Sequence, residues 1–369
     1  MRICGVVASL GAGGAERVMV ELCRGWRARG HEVVLLTLDD STRDFYAVPA
    51  GIERHALDLA SPSANSADAI RSNVSRVRTL RRALRAARAD VIVSFTDRTN
   101  VLVLMAARGL TVPVVVSERI DPRRHEIGRA WSLLRRLVYP SATSVVVQTE
   151  SVRRWAEELV QPFRVAVIPN PVRAVTGSGD PAGARPPVIH AMGRLVPQKG
   201  FDVLVQAFAT IAHEHPEWSL VIHGEGPERA ALTARVASLG LSDRILLPGR
   251  TEDPDAVLGN AAVFALPSRY EGFPNVLLEA MAHGCACVAT DCPSGPSELI
   301  TSGENGLLTP VDDAFALAHA LSGVMQSEED RTRLGTAARH VSQRFALSRV
   351  LAAWDAVLPA EPARVQVAA

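Results

Sequence analysis

The chain has 369 residues, 47% of them hydrophobic and 5% aromatic, with a formal net charge of +1. That length predicts about two domains, each able to bury its own core. The balanced charge excludes a polyelectrolyte acting by bulk attraction to nucleic acid, and the absence of any run of about 20 apolar residues excludes a helix spanning a bilayer.

The charge is unevenly spread. Residues 1–170 hold 25 arginines against 17 acidic residues, whereas residues 171–369 hold 15 basic against 22 acidic. The first half is therefore expected to face something anionic. The five cysteines, Cys4, Cys23, Cys285, Cys287 and Cys292, have no paired metal spacing. Cys285 and Cys287 alternate on one strand and are expected to be buried thiols. Nothing ahead of the first strand reads as a secretory signal, so a reduced cytoplasmic setting is expected.

In chain order, Met1–Val7 predicts a buried parallel strand. The turn Gly11-Ala12-Gly13-Gly14-Ala15-Glu16-Arg17 and a helix ending near Gly30 follow it. Strand, glycine-rich turn and helix is phosphate-binding grammar, although the spacing is not Gly-x-Gly-x-x-Gly. His31–Leu38 predicts a second strand, residues 61–69 a loop, and 70–88 a helix carrying Arg71, Arg76, Arg78, Arg81, Arg82, Arg85 and Arg88 over a Val74, Val77, Leu80, Leu84 stripe. A second basic helix is expected over 123–137. Both helices read as solvated amphipathic faces or as a peripheral contact with anionic lipid. No nucleic acid is expected, because aromatics are not interleaved with the arginines. Strands at 91–95 and 112–116 end in Thr96-Asp97-Arg98 and Ser117-Glu118-Arg119, at the carboxyl edge where open α/β sheets bind ligands. Strands at 144–149 and 165–170 close the first domain, and the Gly/Pro/Ala-rich residues 172–187 predict a linker.

The second domain opens on Val188–Met192 and Gly193-Arg194-Leu195-Val196-Pro197-Gln198-Lys199-Gly200. Lys199 is the only lysine in the chain. Its compact charge suits an oxyanion reached from a tight turn, and a plain surface turn is the simpler reading. Strands ending in His223-Gly224 and Gly249-Arg250 follow. Then Ala262–Leu266 leads into Pro267-Ser268-Arg269-Tyr270-Glu271-Gly272-Phe273-Pro274-Asn275 and a helix carrying Glu279. Gly272 permits a close backbone approach, Pro274 suits a first helical turn, and the helix start favours an anion. Two glutamates so spaced suit hydroxyls on either side of a phosphate, a solvated acidic pair being the plainer alternative.

This last stretch resembles the Glu-x7-Glu signature of the retaining glycosyltransferases of family 4 (glycosyl transferases group 1), which have the GT-B fold. Gly193-Arg194-Leu195 with Lys199-Gly200, and the turn at Gly13-Gly14-Ala15-Glu16-Arg17, are similar to the same family. Ser117-Glu118-Arg119 resembles its subgroup that builds lipid-linked oligosaccharides with galactose or N-acetylgalactosamine; many members carry a histidine where this chain has Glu118. The resemblance implies an α/β architecture of two Rossmann-like domains facing a central cleft. Residues 1–171 would bind acceptor and 188–345 nucleotide sugar, with a crossing helix and tail over 346–369. It implies transfer of a hexose or hexosamine from a nucleotide diphosphate sugar, UDP by subgroup, to a glycan or polyprenyl-diphosphate-linked acceptor. The nucleotide sugar is a substrate, and no cofactor or metal is implied. Arg194 and Lys199 would neutralise the diphosphate and Glu271 would hold the donor sugar, these three being the catalytic set. Gly14, Gly249, Arg250, Gly272, Phe273, Asn275 and Glu279 would complete the donor site, Glu279 on the ribose. Gly13, Glu16, Glu118 and Arg119 would touch sugar or acceptor. The location implied is cytoplasmic, peripheral on the inner membrane face. A nucleotide-sugar epimerase and a non-catalytic binding protein are the alternatives.

Overall fold

The structure, a computed structural model, describes residues 1–42, 44–59, 66–173, 175 and 185–359, with the backbone alone for 66–71. Most of the expected 61–69 loop, most of the 172–187 linker and the tail beyond 359 lie outside the described residues. The chain divides into two compact units, residues 1–171 with 347–369, and residues 172–346.

The first unit is built on seven parallel strands: β1 (Arg2–Val7), β2 (Glu32–Thr37), β3 (Glu53–Ala56), β4 (Val91–Phe95), β5 (Val114–Ser117), β6 (Ser144–Val147) and β7 (Val165–Val167). Their order is β3-β2-β1-β4-β5-β6-β7. Near-continuous apolar strands form because both faces are covered. Helices α1 (Gly14–Ala28), α2 (Ser66–Ala87), α3 (Asp97–Ala107), α4 (Arg129–Val138) and α5 (Glu150–Glu157) connect them. The strand order reverses between β1 and β4, which opens a crevice at their carboxyl ends. The helix Leu347–Asp355 belongs to this unit and packs on α1, where Gly25 leaves room for Leu351: a Cβ there would lie 2.4 Å from Leu351 Cδ1. Trp354 of that helix meets Trp26 edge-on at 6.0 Å, and both are fully buried. Burying one such side chain is worth about 1.5–3 kcal/mol.

The second unit holds six parallel strands, β8 (Val188–Met192), β9 (Ser219–His223), β10 (Ile245–Gly249), β11 (Val263–Leu266), β12 (Ala286–Thr290) and β13 (Leu307–Thr309), ordered β10-β9-β8-β11-β12-β13. Helices α6 (Phe201–Ile211), α7 (Arg229–Ser238), α8 (Pro254–Asn260) and α9 (Asn275–Ala282) follow successive strands. Here the reversal falls between β8 and β11, the two strands that lead into Lys199 and Glu271. Cys285 and Cys287 are both buried in the core beneath α9.

Three sequence expectations shift. Residues 66–69, expected as loop, open helix α2, which starts at Ser66 rather than near 70. Pro274 stands at the cap of α9, one step before the first helical residue. The basic stretch 123–137 is helical only from Arg129. Gly128 at φ +89° interrupts it, and the Asp121 carboxylate accepts the Arg123 N–H at 3.0 Å, fixing a loop in its place.

Candidate functional site

In the second unit, β8 passes through the turn 193–200 and β11 through 267–274, and these turns interlock. Arg269 N–H donates to Gln198 O at 2.8 Å, and Gln198 Nε2 donates to Tyr270 O at 2.8 Å. Gly200, at φ +63°, approaches Pro267 so closely that a Cβ would stand 2.1 Å from its carbonyl oxygen. The outcome is an ion pair between residues 72 apart: Lys199 Nζ lies 2.6 Å from Glu271 Oε1, with side chains 14% and 7% exposed. Fully buried Ser268 donates to the same oxygen at 2.6 Å. Glu271 Oε1 is thus committed, while no described residue bonds to Oε2. Lys199 keeps further N–H donors for an incoming oxyanion, since an ammonium has three.

Arg194 and Arg250 are exposed at the carboxyl ends of β8 and β10, and Arg194 pairs with no acid among the described residues. Gly249 takes φ +98°, and its carbonyl accepts the Gly224 N–H at 2.8 Å. Gly272 and Phe273 are buried; Asn275 and Glu279 are half-buried on α9. His223 stacks on His190 with ring centroids 5.4 Å apart. Burial lowers both imidazoles below their ordinary pKa, His190 to about 4, so the pair is neutral at pH 7. It packs rather than titrates.

In the first unit, Gly13 caps α1, and the Glu16 carboxylate folds back over it, 2.1 Å from where a Cβ would stand. Gly14 begins the helix beside it. Glu118 and Arg119 depart from the expected direct contacts. Glu118 is 1% exposed. It accepts the Tyr139 hydroxyl, Asn100 Nδ2 reaches the same hydroxyl at 3.2 Å, and Arg135 stands 3.7 Å away with its guanidinium over Trp155. Arg119 turns to the opposite face, over Phe95 at 3.5 Å, donating to Asn170 Oδ1 at 2.6 Å. The pair braces the carboxyl edge of β5 against both helical layers. Strand alternation carries the signal: Val114 and Val116 pack on the face that Glu118 continues.

Burial raises the Glu118 carboxyl to about 7, with Arg135 and the Tyr139 bond opposing. The folded protein therefore holds this proton across a pH window in which the unfolded chain, with an ordinary carboxyl near 4.5, has lost it. Stability from this group is present below about 4.5 and declines as pH rises to about 7. Glu118→Gln keeps an acceptor for Tyr139 and removes the titration. Relative to the parent it is expected to gain stability between pH 4.5 and 7.5, by at most about 3 kcal/mol. Urea midpoints of both proteins at the two pH values check this; a constant difference contradicts it.

Sequence reasoning did not single out Ser268, Tyr139, or an Asp97–His125 pair at the carboxyl end of β4. His125 Nδ1 lies 2.8 Å from Asp97 Oδ2. Among the described residues no three His, Cys, Asp or Glu side chains gather as a metal centre, and no helix is long and apolar enough to cross a membrane.

Residues 13–171 match the family model described as "Glycosyl transferase 4-like domain", and residues 181–341 match "Glycosyl transferases group 1". A Campylobacter jejuni GalNAc-alpha-(1->4)-GalNAc-alpha-(1->3)-diNAcBac-PP-undecaprenol alpha-1,4-N-acetyl-D-galactosaminyltransferase is 29% identical over 361 residues, covering 96% of this chain and 97% of that one. An exopolysaccharide phosphotransferase of Streptomyces coelicolor is 34% identical over 309 residues; this covers 81% of the chain but only 31% of the relative. The crystal structure of Anabaena HepE in complex with UDP has a TM-score of 0.78 at 20% identity, covering 97% of this chain and 99% of that one. That likeness establishes the fold.

Proposed function

The chain belongs to the glycosyl transferases group 1 and has their GT-B fold, and on that premise we propose that it moves a hexose or hexosamine from a UDP-linked donor to a lipid-linked glycan, with retention of configuration and without a metal. The observation that carries the reading is the Lys199–Glu271 pair at the β8/β11 reversal, in which no described residue bonds to Glu271 Oε2.

In the reaction the bond from the sugar C1 to the leaving diphosphate oxygen breaks, and its electron pair stays on the diphosphate. The acceptor oxygen bonds to C1 on the same face, and its proton passes to the leaving phosphate. Positive charge grows on the sugar ring and negative charge on the diphosphate. Preorganised charges aimed at that growth supply the main catalytic effect. Lys199, Arg194 and the turn Gly272-Phe273 that leads into α9 stabilise the leaving group. Glu271 holds donor-sugar hydroxyls, Glu279 the ribose, and Gly249-Arg250 the base, with Asn275 beside them. Gly13, Gly14 and Glu16 offer the first unit's turn to the acceptor, and Glu118 and Arg119 brace the carboxyl edge of β5 in that unit. A lipid-linked acceptor is supported by the Campylobacter jejuni relative and by a second transferase of that organism, 28% identical over 366 residues, both named for undecaprenol-linked substrates.

Peripheral membrane contact fits the outer face of α4. Leu133 and Leu137 are 60% and 68% exposed, and Arg129 and Arg136 are exposed with them. On α2, Val74, Arg78, Arg82 and Arg85 are exposed likewise. Arg76 and Arg81 instead bond to backbone carbonyls, and Arg135 is buried, so these three do not serve the surface. Each exposed arginine near an anionic bilayer contributes about 1 kcal/mol. A Leu133→Ser, Leu137→Ser double variant is expected to lose co-sedimentation with phosphatidylglycerol vesicles while staying folded by circular dichroism. Unchanged sedimentation contradicts the contact.

The test of the donor is a thermal-shift series against UDP, GDP, ADP and NAD. Ligand that binds only the native state raises the melting temperature by mass action. A shift with UDP and its sugars is expected, and a shift with NAD alone contradicts the reading.

A further inference from the structure

In the first unit the β1/β4 reversal opens between the Gly11–Gly14 turn and the segment Thr96-Asp97. Thr96 is β-branched yet sits at φ +72°, a conformation such residues avoid and which tends to mark functional sites. It places Asp97 in the first turn of α3, where the carboxylate splits. Oδ1 accepts the Arg98 N–H at 2.6 Å, and Oδ2 faces His125 Nδ1 at 2.8 Å. His125 lies on the loop fixed by Asp121, whose carbonyl accepts the His125 N–H at 3.1 Å. The Asp97 side chain is 13% exposed and that of His125 45%. A carboxylate on Nδ1 fixes the neutral tautomer that leaves Nε2 as an acceptor.

We propose that His125, oriented by Asp97, accepts a hydrogen bond from a hydroxyl of the incoming saccharide acceptor at Nε2. This deepens the glycosyltransferase reading and rests on it. No proton changes hands: the reacting hydroxyl still gives its proton to the leaving phosphate, and His125 fixes the orientation of the acceptor. Among the described residues only Asp97 is bonded to the imidazole.

The experiment uses the full chain, UDP-N-acetylgalactosamine and UDP-galactose as donors, and farnesyl-diphosphate-linked N-acetylgalactosamine as the acceptor probe. His125→Ala is expected to raise the KM for this acceptor about tenfold, as loss of one hydrogen bond implies. The KM for donor and the slow hydrolysis of donor in water stay at the parental values. His125→Gln, whose amide oxygen can accept in place of Nε2, is expected to recover part of the lost acceptor affinity. Asp97→Asn raises acceptor KM without touching donor hydrolysis. A parental acceptor KM in His125→Ala overturns the inference alone. Donor hydrolysis falling in step with transfer assigns the pair a structural role and also overturns it. No transfer or donor hydrolysis by the parent overturns the glycosyltransferase reading beneath it.

Discussion

Lys199→Ala is expected to lower sugar transfer by about 10²- to 10³-fold, the loss usual when one preorganised donor to a developing oxyanion is removed. The side chain spans from a 3-10 turn, Pro197–Lys199, to Glu271, and its ammonium is the only lysine charge available. Its removal leaves Glu271 with the Ser268 bond alone and the leaving diphosphate with less compensation. Lys199→Arg is expected to rescue little. A planar guanidinium cannot occupy the same point between a carboxylate and a phosphate while keeping the turn, because its five donors sit in a rigid fork. Single-turnover rates at saturating donor separate this from a binding defect. A rate within threefold of the parent, in a protein with an unchanged melting temperature, contradicts the assignment.

Gly200→Ala is the second large effect, and it acts through the backbone. A residue with a side chain pays about 1 kcal/mol for the left-handed conformation. Here its Cβ would also sit 2.1 Å from Pro267 O, and a carbonyl cannot swing away as a flexible side chain can. A total of about 2–4 kcal/mol is expected. The displaced Pro267 segment carries Ser268 and Glu271 with it, so transfer falls as well. Gly240→Ala is the control: φ is +68° there, but nothing lies within 4 Å, and only the conformational cost of about 1 kcal/mol remains. Urea denaturation of the three proteins measures the difference. Equal losses in the two variants contradict the close-approach account.

The alternation of buried strands and helices was legible because parallel strands covered on both faces leave continuous apolar runs such as Val91–Phe95 and Val263–Leu266. Lys199 and Glu271 were legible as separate motifs, but their meeting was not: it needs the β8/β11 adjacency, which no local pattern carries. Strand β3 escaped notice because Glu53–Ala56 is an edge strand with an exposed, polar sequence. The basic stretch after Asp121 has helical periodicity, yet a side-chain cap and a left-handed Gly128 override it. Glu118 read as an edge contact because it is charged and ends a strand. Period-two alternation instead sends it into the core, where Tyr139 and Arg135 meet it. Asp97 and His125 lie 28 residues apart, with no spacing that announces a pair.

The measurement that tests the central claim most directly is the anomeric configuration of the product. The protein is incubated with UDP-N-acetylgalactosamine or UDP-galactose and the farnesyl-diphosphate-linked acceptor, and the new linkage is read by proton nuclear magnetic resonance. One added sugar, joined through an α-linkage as in the donor and formed in the presence of a chelator, is the predicted result. A β-linked product, or transfer that stops when divalent ions are removed, contradicts it.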